Sequence, residues 1–247
     1  MKNLYYLILA SIIFYSCSKE DDPGDDKITV SESQISIDYE ETYALQATFN
    51  RDGYAPGSLV WSSADEEVAT VDNSGKVTAG LIGETELTVE TPDGVFFEKV
   101  KVEVLPTVSL YKEPVLEFGE SKSFVKANET RTMDTETEEA LIYLGENSDI
   151  LGLLYLFENA QLNYVAVLLK TDDPTVEKAA NHLIQRYNIE GTEDDVYYFS
   201  RGEVLLGITI DPDLGLVVVY IDAASSSGGR MMDFKARLDA LKNHIDE

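Results

Sequence analysis

Residues 61–89 read WSSADEEVATVDNSGKVTAGLIGETELTV, and the apolar positions in this stretch recur at every second residue between turn-forming residues. Val68 to Val71, Lys76 to Ala79 and Leu87 to Val89 each have the period of two that places alternate side chains on opposite faces of a strand. Asp72-Asn73-Ser74-Gly75 supplies the tight turn between two paired strands. Gly83 permits a sharp turn before the next strand, and Trp61 offers a large core anchor. Working outward, Val100, Val102 and Val104 share one face of the segment 98–104 while Lys99, Lys101 and Glu103 share the other. Leu45, Ala47 and Phe49 alternate in the same way with Gln46 and Thr48. Residues 27–105 therefore predict an all-β sandwich with no helix.

The ordered set Trp61-Ser62-Ser63, Val68 to Asp72, Gly75 to Ala79, Gly83 and Leu87-Thr88-Val89 resembles the group 2 bacterial immunoglobulin-like domain. The resemblance covers about the whole of this first domain. It implies an immunoglobulin-like fold that serves as a spacer in surface proteins and in some cases as an adhesive module.

Pro106 closes the sandwich pattern, and residues 107–222 mix strand runs with one clear helix. Asp173 as a capping residue, Pro174 at the first helical position, and apolar Val176, Ala179, Ala180, Leu183, Ile184 and Tyr187 predict an amphipathic helix that Gly191 helps to stop. His182 falls on its polar face and reads as solvated. A short helix over 121–128 precedes strands near 140–144, 151–157 and 164–169, and strands near 196–199, 204–210 and 216–221 follow the long helix. Helix plus three strands, twice, predicts a duplicated αβββ unit with an antiparallel sheet and its helices on one face, an α+β domain. Asn159-Ala160-Gln161 and Asp211-Pro212-Asp213 punctuate corresponding hairpins.

Phe118-Gly119-Glu120-Ser121, Val125, Tyr155-Leu156-Phe157 and Leu162 resemble the αβββ unit of small outer-membrane assembly lipoproteins and of the β-lactamase inhibitory proteins. That resemblance implies a sheet face that grips another protein. Tyr198 and Tyr220 are the candidate ligand-stacking residues of this domain, if the pleat turns them outward. Residues 223–247 continue as a Ser/Gly linker and a helix whose Phe234, Leu238, Leu241 and Ile245 form an apolar stripe. That stripe must cover its own domain or a partner, and His244 beside it reads as solvated.

At the other end, Met1-Lys2-Asn3 and an apolar run from Leu4 to Tyr15 lead to Ser16 and to Cys17, the one cysteine of the chain. The run is shorter than the roughly 20 residues a spanning helix needs. Small Ser16 before Cys17 makes residues 1–16 similar to bacterial lipoprotein signal peptides, although Phe14 stands where the family has Leu. This implies lipidation of Cys17 and a protein anchored to a membrane through its lipid. Residues 17–26 form an acidic tether. Within it, Ser18-Lys19-Glu20-Asp21-Asp22 resembles the export tag that sends lipoproteins of Bacteroidota to the outer face of the outer membrane.

The chain has 247 residues and a net charge of −27, so anionic polymers are repelled and nucleic acid is excluded as a partner. One cysteine excludes an internal disulfide and cysteine metal sites. No Gly-x-Ser-x-Gly, zinc helix, phosphate loop or dinucleotide fingerprint occurs. Ser123-Phe124-Val125-Lys126 fits a Ser-x-x-Lys pattern, but Ser148-Asp149-Ile150 and Lys170-Thr171-Asp172 fail the companion motifs. The 46 acidic residues make carboxylate pairs uninformative about glycoside hydrolysis.

The expectation is a non-enzymatic, cell-surface lipoprotein without metal or cofactor, whose spacer displays a binding or adhesion module for a glycan or protein. The alternatives are a periplasm-facing envelope assembly or inhibitor protein and a carboxylate-dependent glycoside hydrolase. The sequence leaves the ligand, the oligomeric state and the rigidity between the domains open.

Overall fold

The computed structural model describes residues 26–51, 54, 57–225 and 230–245. The predicted signal peptide, Cys17 and most of the acidic tether lie outside the described residues.

Nine strands follow from Ile28: β1 (Ile28–Val30), β2 (Gln34–Asp38), β3 (Thr42–Ala44), β4 (Ala47–Phe49), β5 (Val60–Ser63), β6 (Ala69–Val71), β7 (Lys76–Ala79), β8 (Gly83–Glu90) and β9 (Phe97–Leu105). They pair as a four-stranded sheet β2-β9-β8-β5, a three-stranded sheet β3-β7-β6 and the pair β1-β4. The alternation in β9 does what the sequence predicts: Val100, Val102 and Val104 are buried, and they meet Leu87, Val89, Trp61, Leu45 and Val77 in one core. Each such buried Val or Leu contributes about 1.5–3 kcal/mol. The β6–β7 turn is held by Asp72 Oδ1, which accepts from Ser74 N, Ser74 Oγ and Lys76 N at 2.6–3.1 Å. Gly75 takes φ +83° there, and a side chain on it would strike the Leu45 carbonyl.

The second part holds α1 (Lys122–Asn128), β10 (Met133–Glu136), β11 (Ala140–Tyr143), β12 (Ile150–Glu158), β13 (Gln161–Leu169), α2 (Asp173–Ile184), β14 (Asn188–Glu193), β15 (Val196–Arg201), β16 (Val204–Asp211) and β17 (Gly215–Asp222). Its eight strands form one antiparallel sheet in the order β10-β11-β12-β13-β17-β16-β15-β14. Each half is a helix followed by a four-stranded meander, and the halves join where β13 pairs with β17, Tyr164 opposite Ile221 through Leu169 opposite Leu216. The duplicated helix-and-strand order of an α+β domain is therefore present, with one strand more per half than the three predicted. The added strands, β10 and β14, are the two edges of the sheet.

Both faces of this sheet are covered. Val125 of α1, Ala179 and Leu183 of α2, and Leu110 and Tyr111 of the connecting arm pack on one face against Leu153, Tyr155, Val165, Val218 and Tyr220. The C-terminal helix α3 (Arg230–Ile245) packs on the other, with Phe234 and Leu241 against Leu154, Ala166, Val217 and Val219. The terminal stripe thus docks on its own chain. Helices consequently lie on both faces, where the sequence predicts one. Gly207 lets α3 approach, since a Cβ there would come 2.5 Å from the Phe234 ring. Lys242 Nζ fixes the far end on Asp211 at 2.8 Å, and Arg237 lies 5.1 Å over the Tyr164 ring. The Ser/Gly linker forms a short 3-10 turn at Ala223–Ser225, and its remainder falls outside the described residues, as does the side chain of His244.

Three local readings of α2 change. The N-cap is Asp172, which accepts from Thr175 N at 3.0 Å and Thr175 Oγ1 at 2.8 Å, and Asp173 is the first helical residue. Ala180 is exposed, and the buried positions are Thr175, Ala179, His182 and Leu183. Gly191 does not stop the helix, which ends at Ile184; it sits at φ +136° in β14, beside a register shift between Ile189 and Gly191.

Candidate functional site

The two parts meet along a polar seam built from the end of α2. Gln185 is buried, and its Oε1 accepts the N–H groups of Thr107 and Val108 at 2.9 and 3.2 Å. Its own carbonyl accepts from Ile82 N of the sandwich at 2.8 Å. Arg201 Nη1 donates to the carbonyl of Ile82 at 2.8 Å, and Asn188 Nδ2 donates to Glu67 at 2.9 Å. Backbone groups of the connection are thus tied down by side chains that the long helix positions, which restricts motion between the parts. A cleft of about 430 Å³ opens beside this seam, lined by Glu84, Glu103, Glu113, Arg186, Tyr187 and Arg201 among others.

His182 lies inside this region with no exposed surface, opposite to its reading as a solvated side chain. Its Nδ1 accepts from Leu110 N at 3.3 Å, so the proton sits on Nε2, which donates to Glu113 Oε1 at 3.0 Å. Burial pushes its pKa down more strongly than the Glu113 hydrogen bond and charge push it up, which keeps the ring neutral near pH 7. With both nitrogens engaged and no solvent access, this ring is a strut between α2 and the connecting arm. Glu113 also accepts from Tyr187 Oη at 2.7 Å and faces Arg186 Nε at 3.3 Å.

A second buried ionic group closes the first half of the sheet. Arg131 bonds Glu129 at 2.8 Å and Glu146 at 2.7 Å, and its Nη2 also reaches the carbonyl of Lys112. Burial alone would raise the Glu129 pKa; hydrogen bonds from Tyr155 Oη and Arg131 N, with the guanidinium charge, hold it below the usual carboxylate range. These groups satisfy one another.

The predicted ligand-stacking residues do not face outward. Tyr220 is fully buried, its hydroxyl 2.6 Å from that of Tyr111. Tyr198 lies beneath α3, edge-on to Phe234 with ring centroids 5.8 Å apart. The tyrosine beside it, Tyr197, is the exposed one at 56% of its surface, together with Ile189 at 66% and Ile210 at 57%. The pairings Ile189 opposite Phe199 and Tyr197 opposite Ile208 place these residues on the α2 face of strands β14–β16, beyond the cover of the helix. Strand alternation alone left that choice of face open. In the Ser-x-x-Lys segment, Lys126 Nζ is held by Glu136 at 3.0 Å, away from Ser123 chemistry.

Among the described residues no group of three or more His, Cys, Asp or Glu is placed to hold a metal ion, and no helix is long and apolar enough to cross a membrane. Residues 26–104 match the family model of the bacterial Ig-like domain (group 2), so the first part of the chain is a domain of that kind. Two uncharacterized proteins of Clostridium acetobutylicum are similar to short pieces of the chain. One is 41% identical over 54 residues, 22% of this chain and 14% of the relative. The other is 34% identical over 67 residues, 27% of this chain and 7% of the relative. The chain therefore spans only a small part of these relatives. Among solved structures, domains 5-6 of the S-layer protein SbsC align over 79% of this chain and 83% of that one, at 15% identity and a TM-score of 0.28. Human protocadherin-24 EC1-2 aligns over 79% and 94%, at 10% identity and a TM-score of 0.25. Scores this low carry no argument.

Proposed function

We propose that the chain is a non-enzymatic, surface-exposed lipoprotein of the outer membrane, in which the bacterial immunoglobulin-like domain holds the second domain away from the membrane as a binding or adhesion module. The observation that carries this reading is the seam. A spacer displays a module in a fixed direction only if the joint is stiff, and here the Gln185 carbonyl, Arg201 and Asn188 bond the second part to the sandwich directly while the Gln185 side chain holds the connection. The engaged state of His182 and the mutually satisfied Arg131 group support binding over bond-breaking chemistry. Its ligand is a glycan or a protein, and its anchor is lipid on Cys17.

Protease treatment of intact cells, with Cys17→Ala alongside, tests the reading. Surface display predicts rapid loss of the wild-type domains, while the variant leaves the membrane fraction. Survival of the wild-type protein until the outer membrane is opened would favour the second reading, a periplasm-facing assembly or inhibitor protein. The uncovered corner of the sheet at Ile189 and Tyr197 suits that role too. Turnover of a polysaccharide, abolished by one Asp or Glu substitution, would replace both with a hydrolase.

A further inference from the structure

The two edges of the eight-stranded sheet are finished differently. At β10 the helix α1 lies alongside: Lys122 Nζ bonds the carbonyls of Thr137 and Glu138, and Lys126 bonds Glu136 of the strand itself. Charged side chains on an edge strand are a common guard against the approach of another strand. At β14, which among the described strands pairs only with β15, the exposed apolar neighbours are Ile189 and Tyr197; the charges on this strand, Glu190 and Glu193, are both acidic, and Glu190 is held by Ser200 Oγ. They continue across Ile208 toward Ile210 as a diagonal apolar band. The hairpin that ends this edge is Glu193-Asp194-Asp195, and none of the three carboxylates is ion-paired among the described residues. Asp194 and Asp195 both take positive φ, 47° and 64°, so the two acids are held at the hairpin tip.

From this we propose that the β14 edge is a docking site for an extended, cationic segment of another protein, which adds alongside β14 and lays its apolar side chains on Ile189 and Tyr197. Backbone pairing supplies affinity in such strand addition, and alternate side chains supply selection. The acidic tip sets the sign of the partner's charge. A second copy of this chain is disfavoured at the same edge, because two Glu193-Asp194-Asp195 tips and two chains of net charge −27 would be brought together. The chain's own tether is acidic as well. This inference rests on the reading of the second domain as a binding module and names the class of protein it would bind.

The test is calorimetric titration of the full chain in detergent with a capped octapeptide alternating Lys and Val. Matched peptides alternating Glu and Val, or interrupted by Pro, serve as comparisons. The expected result is saturable binding of the Lys/Val peptide alone, weakened at least tenfold in the double variant Ile189→Ser, Tyr197→Ser, which leaves every charge in place. Both residues are more than half exposed, so the variant should keep the wild-type thermal midpoint; Ile189→Ser alone serves if it does not. Equal binding to wild type and variant would mean unspecific attraction to an acidic protein and would overturn the proposal. So would no binding of the Lys/Val peptide, or dimerisation of the wild type that the same variant abolishes. Failure here would leave the question of surface display untouched, since protease treatment of cells decides that separately.

Discussion

The halves of the eight-stranded sheet share one order of elements, a helix and then a four-stranded meander, yet they differ in what holds them closed. In the first half Arg131, Glu129 and Tyr155 form a largely buried ionic group with exposed Glu146 at its rim, and α1 guards the outer strand. The corresponding end of the second half is held by α3 from one face and by the seam with the sandwich, and part of its other face is left bare. A duplicated fold can thus keep its backbone plan while one copy is closed by a buried ionic group and the other leaves an apolar corner of its sheet exposed.

The largest test of that difference is Arg131→Met, which strands two carboxylates, one of them nearly buried. Loss of one partner of a buried ion pair costs about 3–5 kcal/mol. Urea unfolding should show a loss of that size; under about 1 kcal/mol would remove the ionic group as the brace of the first half.

In the second half, Phe234→Ala should cost roughly 3 kcal/mol by emptying the space above Gly207. It should also release α3, which limited proteolysis would detect as faster cutting before residue 230. An unchanged cleavage rate would show that α3 is held elsewhere. Gln185→Ala should cost about 1–2 kcal/mol, because two backbone N–H groups of the connection lose their acceptor. Small-angle scattering should then report a broader distribution of interdomain distances; an unaltered profile would place the stiffness of the joint outside Gln185.

The smallest effect is the pH response of the strut. His182 is neutral in the folded chain and faces Glu113, Arg186 and, more remotely, Glu146. The unfolded ring titrates near its ordinary value of about 6.5. Below that value the unfolded chain takes up a proton that the folded chain resists, so stability is present above about pH 6.5 and is lost as pH falls through and below it. The thermal midpoint of His182→Gln, compared with wild type from pH 7.5 to 5, should lack this component; parallel curves would refute it.

The sandwich was legible because its strands alternate cleanly and its turns carry Asp, Asn and Gly, as at 72–75. The strands β11–β13 and β15–β17 were legible for a different reason: they are near-continuous apolar runs between turn residues, as strands covered on both faces are. The two edges were not: Met133-Asp134-Thr135-Glu136 and Asn188-Ile189-Glu190-Gly191-Thr192-Glu193 carry one large apolar residue each and no inward apolar row, so neither strand shows a period of two. The burial of His182 was hidden because the cover is the connecting arm around Leu110, more than seventy positions away, and no local period encodes that. Tyr198 and Tyr220 failed as outward residues for a related reason. Their burial is decided by α3 and by Tyr111, each far away in sequence.

One pairing in the sandwich bears on mechanical load. Strand β2 runs parallel to β9, Gln34 opposite Lys101 through Asp38 opposite Leu105. The chain enters near Lys27, whose N–H bonds Asn50, and leaves past Leu105 at the opposite end. A pull on the second domain against the amino-terminal end of the sandwich would therefore slide β2 and β9 past each other along their length. In that direction the slanted hydrogen bonds of a parallel ladder are strained together, where a hairpin peeled from its open end yields them one at a time. The immunoglobulin-like domain is thus wired as a shear clamp along β2 and β9, the geometry that resists unfolding when load is applied between its two ends.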